Sequence, residues 1–301
     1  MRIQNDWQPV GQPIAAALGS FDGLHRGHCA VVEKVLDRPG EMPAVVTFDQ
    51  NPSAVLCGRS VPLLMTNGEK ARQLQKMGVG ALYLLPFSHI CHLPPEAFYD
   101  RLAGTLQVKT LSCGFNFRFG EKGAGDTDLL QRLCDRDGIR LFVSEAVRDQ
   151  GEPVSSTRIR RMIENGDMKS AARLLGRPFS FCFPVEHGRM LGRTLGIPTI
   201  NQAMPPNFIL PPFGVYASVV TVEGKRYTGV TNIGVKPTVG SDHVLSETWI
   251  LEYTGDLYGQ NVEVELYDFL RPETRFASLT EMQAAIRRNA QQAQSCTAPY
   301  R

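Results

Sequence analysis

The sequence has no apolar run long enough to cross a bilayer, and its N-terminus has no basic segment followed by a long apolar core. A spanning helix needs about 20 apolar residues, and a secretory signal needs both of those parts. Long basic clusters are also missing, since Lys and Arg total 32 against 30 Asp and Glu. We therefore expect a cytoplasmic protein that binds neither membranes nor nucleic acids through general positive charge.

The cysteines include no C-x-x-C pair and form an odd set of seven scattered residues. Such a set is typical of a compartment in which thiols stay reduced. We interpret the cysteines as small apolar fillers and not as metal ligands. The chain also has no coiled-coil heptads, so its sequence indicates no oligomeric state.

The length of 301 residues is about twice that of a typical domain. Up to about Gly176, short apolar runs alternate with helical patterns, which is typical of a parallel sheet in a doubly wound α/β domain. We predict helices at 28–36, at 127–135 and after a Thr66 cap with Glu69 three residues on. The predicted strands are 14–18, 44–48, 81–85, 110–113 and 139–143.

The second half of the chain has a different pattern. Helices predicted at 157–165 and 168–175 each end at a glycine, and we expect them to close the first domain, residues 1–178. The second domain, 179–301, is expected to be an antiparallel β-barrel or sandwich with a hairpin turn at 223–225. Leu279, Met282 and Ile286 predict an amphipathic closing helix after Ser278. The predicted strands are 215–222, 226–233, 247–253 and 262–269.

The most informative stretch, GSFDGLHRGH from Gly19 to His28, leads from the strand at 14–18 into a helix. A strand, a glycine-containing turn and a helix N-terminus place backbone N–H groups where a phosphate can bind. His25 and His28 can donate hydrogen bonds to the same anion, which suits adenylyl transfer. A bare H-x-x-H could instead cap a helix or bind a metal. The residues predicted to bind the nucleotide phosphates here are Gly19, Phe21, Asp22, Gly23 and Gly27.

This stretch resembles the nucleotidyltransferase superfamily with the H-x-G-H signature, and its longer form is similar to the FMN adenylyltransferase branch. One segment departs from that branch. Where the family shows F-D-P-H-P after a strand, this chain has F-D-Q-N-P, so that Asn51 replaces a histidine. Because asparagine carries no positive charge, we expect slower adenylylation or altered substrate handling.

Two further stretches fit an FMN adenylyltransferase. The segment 114–120, GFNFRFG, is aromatic and glycine-rich, as a pocket for a flavin ring requires, although it could also be a buried aromatic turn. The segment 155–160, SSTRIR, offers hydroxyl groups and a guanidinium group at a helix N-terminus, either for the leaving pyrophosphate or as a simple helix cap. The predicted flavin contacts are Asn116, Phe117 and Asp126, and the predicted phosphate contacts are Ser156, Thr157 and Arg160.

A second glycine-punctuated stretch, 188–201, ends in P-T-x-N. Its glycines permit backbone contact with phosphates, and the oxygens of Thr199 and Asn201 are hard ligands that suit Mg²⁺. Taken alone, P-T-x-N more often describes a barrel loop with a capping Thr and Asn. The residues predicted to bind phosphates are Gly192, Arg193, Gly196, Pro198, Thr199 and Asn201.

Several later segments accompany this loop: GVY at 214–216, NIGVKPT at 232–238, SETWIL at 246–251, GDLYG at 255–259 and LR at 270–271. Together they look like riboflavin kinase from about 184 to 293, and the whole chain resembles the bifunctional riboflavin kinase and FAD synthetase family of bacteria. This resemblance implies a Rossmann-like nucleotidyltransferase domain followed by a kinase barrel. It also implies ATP as co-substrate, Mg²⁺ in both reactions, riboflavin, FMN and FAD as substrates and products, and Arg271 as a flavin contact in the kinase.

Glu247 has an independent chemical argument. It lies in an apolar strand, where a carboxylate is costly unless it has a task. A primary alcohol such as the riboflavin 5′-hydroxyl is a poor nucleophile, so a base within hydrogen-bond reach helps it to attack the γ-phosphate of ATP. Glu247 is therefore the predicted kinase base, although an isolated strand Glu more often faces outward and pairs with a lysine.

The sequence admits other functions. A transferase for a different phosphorylated compound would lack the appended barrel, and a flavin-sensing protein would not need Glu247, Thr199 and Asn201. A riboflavin kinase with a weakened adenylyltransferase is the alternative that Asn51 favours.

Overall fold

The structure, a computed structural model, describes residues 1–58, 60–188, 196–238 and 241–300, with no side chains described at 56–57, 236–238 and 241–243. The described chain forms two compact units. The first is Met1–Ser156, and the second begins at Thr157. This division lies upstream of the predicted domain boundary after Pro178.

The first unit is built on a six-stranded sheet in which every strand is parallel, as predicted. Its spatial order is β1-β4-β3-β2-β5-β6, so after β4 the chain crosses back over the sheet and adds β5 on the other side of β2. The short edge strand β1 was not predicted, because its three residues form no apolar run. The strands are β1 (Arg2–Gln4), β2 (Ile14–Leu18), β3 (Met42–Phe48), β4 (Ala81–Leu85), β5 (Val108–Gly114) and β6 (Arg140–Ser144).

Helices connect these strands. The predicted capping box of Thr66 and Glu69 is confirmed at the start of the helix Asn67–Lys76. Thr66 Oγ1 accepts a hydrogen bond from the Glu69 N–H at 3.2 Å, and the Glu69 carboxylate accepts one from the Thr66 N–H at 2.6 Å. The helices are α1 (Arg26–Leu36), α2 (Pro52–Cys57), α3 (Asn67–Lys76), α4 (Phe87–Ile90), α5 (Pro95–Asp100), which a π-helical turn continues over Arg101–Thr105, and α6 (Thr127–Asp137). A short ribbon follows, formed by β7 (Arg148–Asp149) and β8 (Glu152–Pro153).

Both faces of the first sheet are covered, which confirms the doubly wound α/β prediction. On one face Ala15 and Ala17 of β2 pack in the same core as Val32 of α1 and Leu74 of α3. On the other face, the core joins Ala16 and Leu18 to residues of α5 and α6 such as Tyr99 and Leu133. The small side chains of β2 leave room for α1 to approach closely.

The second unit begins with two helices and continues with strands. Helix α8 packs against β9 and β14, and its Lys169 Nζ lies 2.6 Å from Asp268 Oδ2. The helices therefore belong to this compact unit. Its elements are α7 (Ser156–Glu164), α8 (Met168–Leu175), β9 (Phe179–Pro184), β10 (Thr199–Ala203), β11 (Gly214–Val222), β12 (Lys225–Thr238), β13 (Ser241–Ile250), β14 (Asn261–Pro272) and α9 (Leu279–Thr297).

The six strands of this unit form one antiparallel sheet in the order β10-β13-β12-β11-β14-β9. The sheet curls until its edge strands, β10 and β9, approach each other. There the N–H of Glu186, just after β9, donates a hydrogen bond to the Asn201 carbonyl of β10 at 2.8 Å. The buried Gln202 amide also donates to the carbonyls of Phe183 and Val262, at 2.7 and 2.8 Å. The predicted antiparallel barrel is confirmed.

Two local predictions have different outcomes. The hairpin turn is confirmed as a two-residue loop, in which Glu223 and Gly224 have φ values of 50° and 78° and Lys225 already pairs with Val222. The helix after Ser278 is also present, and two of its three predicted apolar residues, Met282 and Ile286, are half-buried. Leu279 is 65% exposed, and the helix packs on the sheet through small residues, Ala290 and Ala293 among them. Among the described helices, none has the length and apolar character that a membrane span requires.

Candidate active sites

A cavity of about 420 Å³ lies at the carboxyl ends of β2, β3, β5 and β6 in the first unit. In an open parallel sheet, ligands bind at this edge where the strand order reverses, which here is beside β2. Turns that follow the four strands line the cavity. The predicted residues that the structure brings together there are Gly19, Phe21, His25, Gly27, His28, Asn116, Phe117 and Ser156.

The two histidines stand at the start of α1. His25 is the N-cap residue, and its Nδ1 accepts a hydrogen bond from the His28 N–H at 3.3 Å. Because Nδ1 accepts, a neutral His25 ring carries its proton on Nε2, as a donor to an anion requires. The two rings stack with their centroids 3.6 Å apart. The capping and anion-binding interpretations of H-x-x-H are therefore compatible in this site.

The turn between β2 and α1 has left-handed backbone at Phe21, Gly23 and Leu24, with φ values of 49°, 84° and 40°. Asp22 holds this turn in place. Its Oδ1 accepts a hydrogen bond from the Leu64 N–H at 3.0 Å, and its carbonyl accepts one from Ser156 Oγ at 2.8 Å. Within the described residues, Asp22 and Gly23 shape the turn without lining the cavity.

The S-S-T segment is thus tied to the first motif through Ser156, which also lines the cavity. Thr157 and Arg160 lie on α7 and belong to the second unit. Their role as contacts of the leaving pyrophosphate stays a prediction.

The aromatic segment after β5 forms another wall of the cavity. Besides the predicted Asn116 and Phe117, it contributes Arg118 and Phe115, whose side chain is 51% exposed. Both lie inside the G-F-N-F-R-F-G motif, so the sequence contains the signal for these two cavity residues as well. A half-exposed aromatic ring at the cavity rim suits stacking on a flat ligand.

Asp126 has a different position from the one predicted. In the described chain it does not line the cavity; it caps α6 by accepting a hydrogen bond from the Leu129 N–H at 2.9 Å. This hydrogen bond holds the pKa of the carboxyl below its usual range, with a further contribution from Arg118. Since Arg118 Nη1 lies 3.6 Å from Asp126 Oδ2, Asp126 orients a cavity residue.

Asn51, which stands where the family shows histidine, is the N-cap of α2. Its Oδ1 accepts a hydrogen bond from the Ser53 N–H at 2.9 Å. Its neighbours Phe48 and Pro52 line the cavity. Asn51 is not among the described residues that line it.

Two buried residues beneath the turn were not predicted. Lys70 of α3 and Thr47 of β3 both donate hydrogen bonds to the carbonyl of Ser20, which lines the cavity. A helical lysine gives no sequence signal of burial, since most lysines are exposed.

A second cavity, of about 430 Å³, lies in the second unit. Pro198 and Thr199 of the P-T-x-N segment line it. Tyr253 and residues 255–258 of the G-D-L-Y-G segment line it as well. The tyrosines and neighbouring aliphatic side chains give it an apolar wall beside the predicted phosphate-binding loop. Gly196 has a left-handed φ of 71° and is exposed. The predicted contacts Gly192 and Arg193 lie outside the described residues.

Three other predicted kinase residues do not line this cavity in the described chain: Asn201, Glu247 and Arg271. Strand register instead aligns them in a single row. Asn201 pairs with Glu247, Glu247 with Asn232, Asn232 with Val215, and Val215 with Arg271. Directly paired residues project from the same face of a sheet. The half-buried Glu247 therefore has Asn201 and Asn232 as its register neighbours on the two adjacent strands.

Close packing fixes the two ends of this row. Gly188 lies against Asn201, where an added Cβ would be 2.8 Å from Asn201 Cγ. At the other end, Arg271 Nε donates a hydrogen bond to Asn289 Oδ1 of α9 at 3.0 Å. Burial lowers the pKa of the Arg271 guanidinium from its ordinary value. The hydrogen bond to Asn289 places the guanidinium end of the row beside the closing helix.

Comparison with known proteins matches each unit to a family. Residues 8–158 match the FAD synthetase family model, and residues 175–297 match the riboflavin kinase model. The chain is 35% identical to a bifunctional riboflavin kinase/FMN adenylyltransferase of Pseudomonas fluorescens, over 99% of this chain and 98% of that relative. A protein of the same description from Listeria monocytogenes is 34% identical, over 95% of this chain and 93% of the relative.

A solved structure has the same fold over almost all of the chain. It is described as a macrolide-efflux protein from Streptococcus pneumoniae and matches with a TM-score of 0.85 and 26% identity. The match covers 97% of this chain and 98% of the other.

Proposed function

Because the chain belongs to the bifunctional riboflavin kinase/FMN adenylyltransferase family, we propose that each of its two reactions occurs in one of the two cavities. The protein phosphorylates riboflavin with ATP to give FMN, and it adenylates FMN with ATP to give FAD and pyrophosphate. We assign adenylylation to the cavity beside β2 and phosphorylation to the cavity beside β10. The observation that carries this assignment is that the H-x-G-H and G-F-N-F-R-F-G segments meet at the first cavity, and the P-T-x-N and G-D-L-Y-G segments at the second.

In adenylylation, a phosphate oxygen of FMN attacks the α-phosphorus of ATP, and the bond to the pyrophosphate group breaks. The attacking phosphate is already anionic, so the reaction needs positioning and charge stabilisation and no general base. His25 and His28 donate hydrogen bonds to the α-phosphate, together with N–H groups of the turn. Asn116 and Phe117 contact the flavin. The leaving pyrophosphate is bound by Ser156, Thr157 and Arg160.

In phosphorylation, Glu247 accepts the proton of the riboflavin 5′-hydroxyl while that oxygen attacks the γ-phosphorus of ATP and ADP leaves. The position of Glu247 in register with Asn201 and Asn232, in the row that also contains Arg271, supports this role. Arg271, at the end of the same row, contacts the flavin.

Thr199 and Asn201 fit a Mg²⁺ ion bound together with ATP phosphates. They are two residues apart on β10, so their side chains share a face, and Thr199 lines the cavity. Magnesium commonly takes one or two protein oxygens and completes its shell with phosphate oxygens and water. When bound, the ion neutralises phosphate charge. In the described part of the chain, no cluster of three or more His, Cys, Asp or Glu residues offers a different metal site.

We assign the adenylyltransferase to residues 1–178 and the kinase to 179–301. The family matches support this division, because one ends at 158 and the other begins at 175. We further propose that the protein acts in the cytoplasm on small molecules alone, without nucleic acid or membrane. The composition of the chain supports that location, and the described cysteines form no disulfide.

The proposal is tested by incubating the purified protein with ATP and Mg²⁺ and either riboflavin or FMN, and by resolving the flavins by chromatography. We expect FMN and then FAD from riboflavin, and FAD with pyrophosphate from FMN. Chelation by EDTA should stop both reactions. FMN without FAD would contradict the assignment of the first cavity, and activity that survives EDTA would contradict the role of Mg²⁺.

A further inference from the structure

Lys70 is a buried cation that the two proposed mechanisms leave unused. Its residue is 5% exposed, and its Nζ donates a hydrogen bond to the Ser20 carbonyl at 3.1 Å. Burial lowers the pKa of its ammonium group to about 8, and the nearby Asp22 opposes that shift. Because burial of a lysine is unfavourable, its presence beneath a cavity calls for a functional explanation.

The Ser20 carbonyl, to which Lys70 donates its hydrogen bond, belongs to the predicted phosphate-binding turn. Ser20 lines the cavity between Gly19 and Phe21, and its carbonyl also accepts a hydrogen bond from Thr47 Oγ1 at 3.0 Å. Both donors come from the protein interior, one from α3 and one from β3. The C=O and N–H of a trans peptide point in opposite directions. With the Ser20 carbonyl held inward, the Phe21 N–H of the same peptide is directed away from Lys70 and Thr47.

We propose that Lys70 is a positioning residue of the adenylyltransferase, which fixes the Ser20 peptide so that the Phe21 N–H serves the α-phosphate and which supplies positive charge behind the turn. The inference rests on the proposed adenylylation site and deepens it. Thr47 provides the same orientation without charge.

The two donors can be separated by substitution. Lys70→Met keeps the length of the side chain, removes the charge, and leaves Thr47 as donor to the Ser20 carbonyl. A residue with a purely structural role would lower the melting temperature when replaced. Since Lys70 is unfavourably buried, we expect Lys70→Met to leave the melting temperature unchanged or to raise it.

The experiment compares Lys70→Met with Lys76→Met, an exposed lysine on the same helix. We expect Lys70→Met to lower kcat for FMN adenylylation about tenfold or more, with the KM for FMN changed by less than about twofold. Riboflavin phosphorylation by the same protein should stay within about twofold of the unsubstituted chain and serves as an internal control for folding. Lys76→Met should leave both activities unchanged.

Equal adenylylation by the two variants would overturn the proposal, as would a parallel loss of both activities in Lys70→Met. If that variant does not fold, Thr47→Val decides: a fall of about threefold or more in adenylylation alone supports the shared anchor, and no fall overturns it. His28→Ala separates this inference from the site on which it rests. If His28→Ala retains adenylylation, the site assignment fails; if it loses adenylylation while Lys70→Met does not, only the role of Lys70 fails.

Discussion

The two units build their sites in different ways. In the first unit, turns at the ends of parallel strands supply backbone groups and two histidines that stack on each other. In the second, strand pairing aligns Asn201, Glu247, Asn232 and Arg271 in a row across an antiparallel sheet. The first site is formed by loops at the ends of strands, and the second combines a cavity lined by β10 and residues 253–258 with a row of strand side chains.

This difference follows the needs of the two reactions. FMN brings an anionic phosphate that attacks without a base, so a cradle for charge is sufficient. Riboflavin brings a hydroxyl group that must lose a proton, and a base is effective only when it is held within hydrogen-bond reach. A strand holds a side chain more firmly than a loop does.

The largest effect that separates the units should come from Glu247→Gln. This change keeps the shape of the side chain and removes the base, so we expect riboflavin phosphorylation to fall about 1,000-fold. Adenylylation of supplied FMN should be unchanged. Initial rates of ADP and pyrophosphate release measure the two activities, and Glu252→Gln, an exposed position beyond β13, is the matched control. A kinase that remained fully active would exclude Glu247 as the base.

His28→Ala should produce the opposite pattern with a smaller loss. It removes one hydrogen-bond donor to the α-phosphate, and we expect FMN adenylylation to fall about 100-fold. Pyrophosphate release with supplied FMN measures the effect. His89→Ala, an exposed histidine of the same unit, should have no effect. If both histidine variants behaved alike, the role of the H-x-G-H segment would be refuted.

Gly188→Ala tests how rigidly the kinase row is held. The added Cβ would press on the Asn201 amide, so we expect riboflavin phosphorylation to fall about tenfold while adenylylation persists. Gly104→Ala is the control, because a Cβ at that position meets nothing within 4 Å. Equal kinase rates in the two variants would show that Asn201 tolerates displacement.

The smallest effect is expected from Asn51→His, which restores the family residue. Since Asn51 caps α2 and does not line the described cavity wall, we expect adenylylation to change by less than about threefold. Loss of the cap should cost about 1 kcal/mol of stability. Steady-state rates and a thermal unfolding curve measure both effects, and a large increase in adenylylation would show that Asn51 does limit this site.

The sequence predicted the motifs of both sites, because each lies within one short stretch of chain. It did not predict that Asn232 stands beside Glu247, since strand register depends on pairing across distant segments. Lys70 was missed because only tertiary packing buries it. Apolar periodicity predicted the half-buried Met282 and Ile286 of α9, but it also included the exposed Leu279 and missed the small residues, such as Ala290, that pack on the sheet.

The central claim is that one chain holds two independent sites. Its most direct test is a chromatographic time course of the flavins that His28→Ala forms from riboflavin, ATP and Mg²⁺. We predict that FMN accumulates at the rate of the unsubstituted protein and that almost no FAD follows. Normal FAD formation, or loss of FMN formation together with FAD, would contradict the claim.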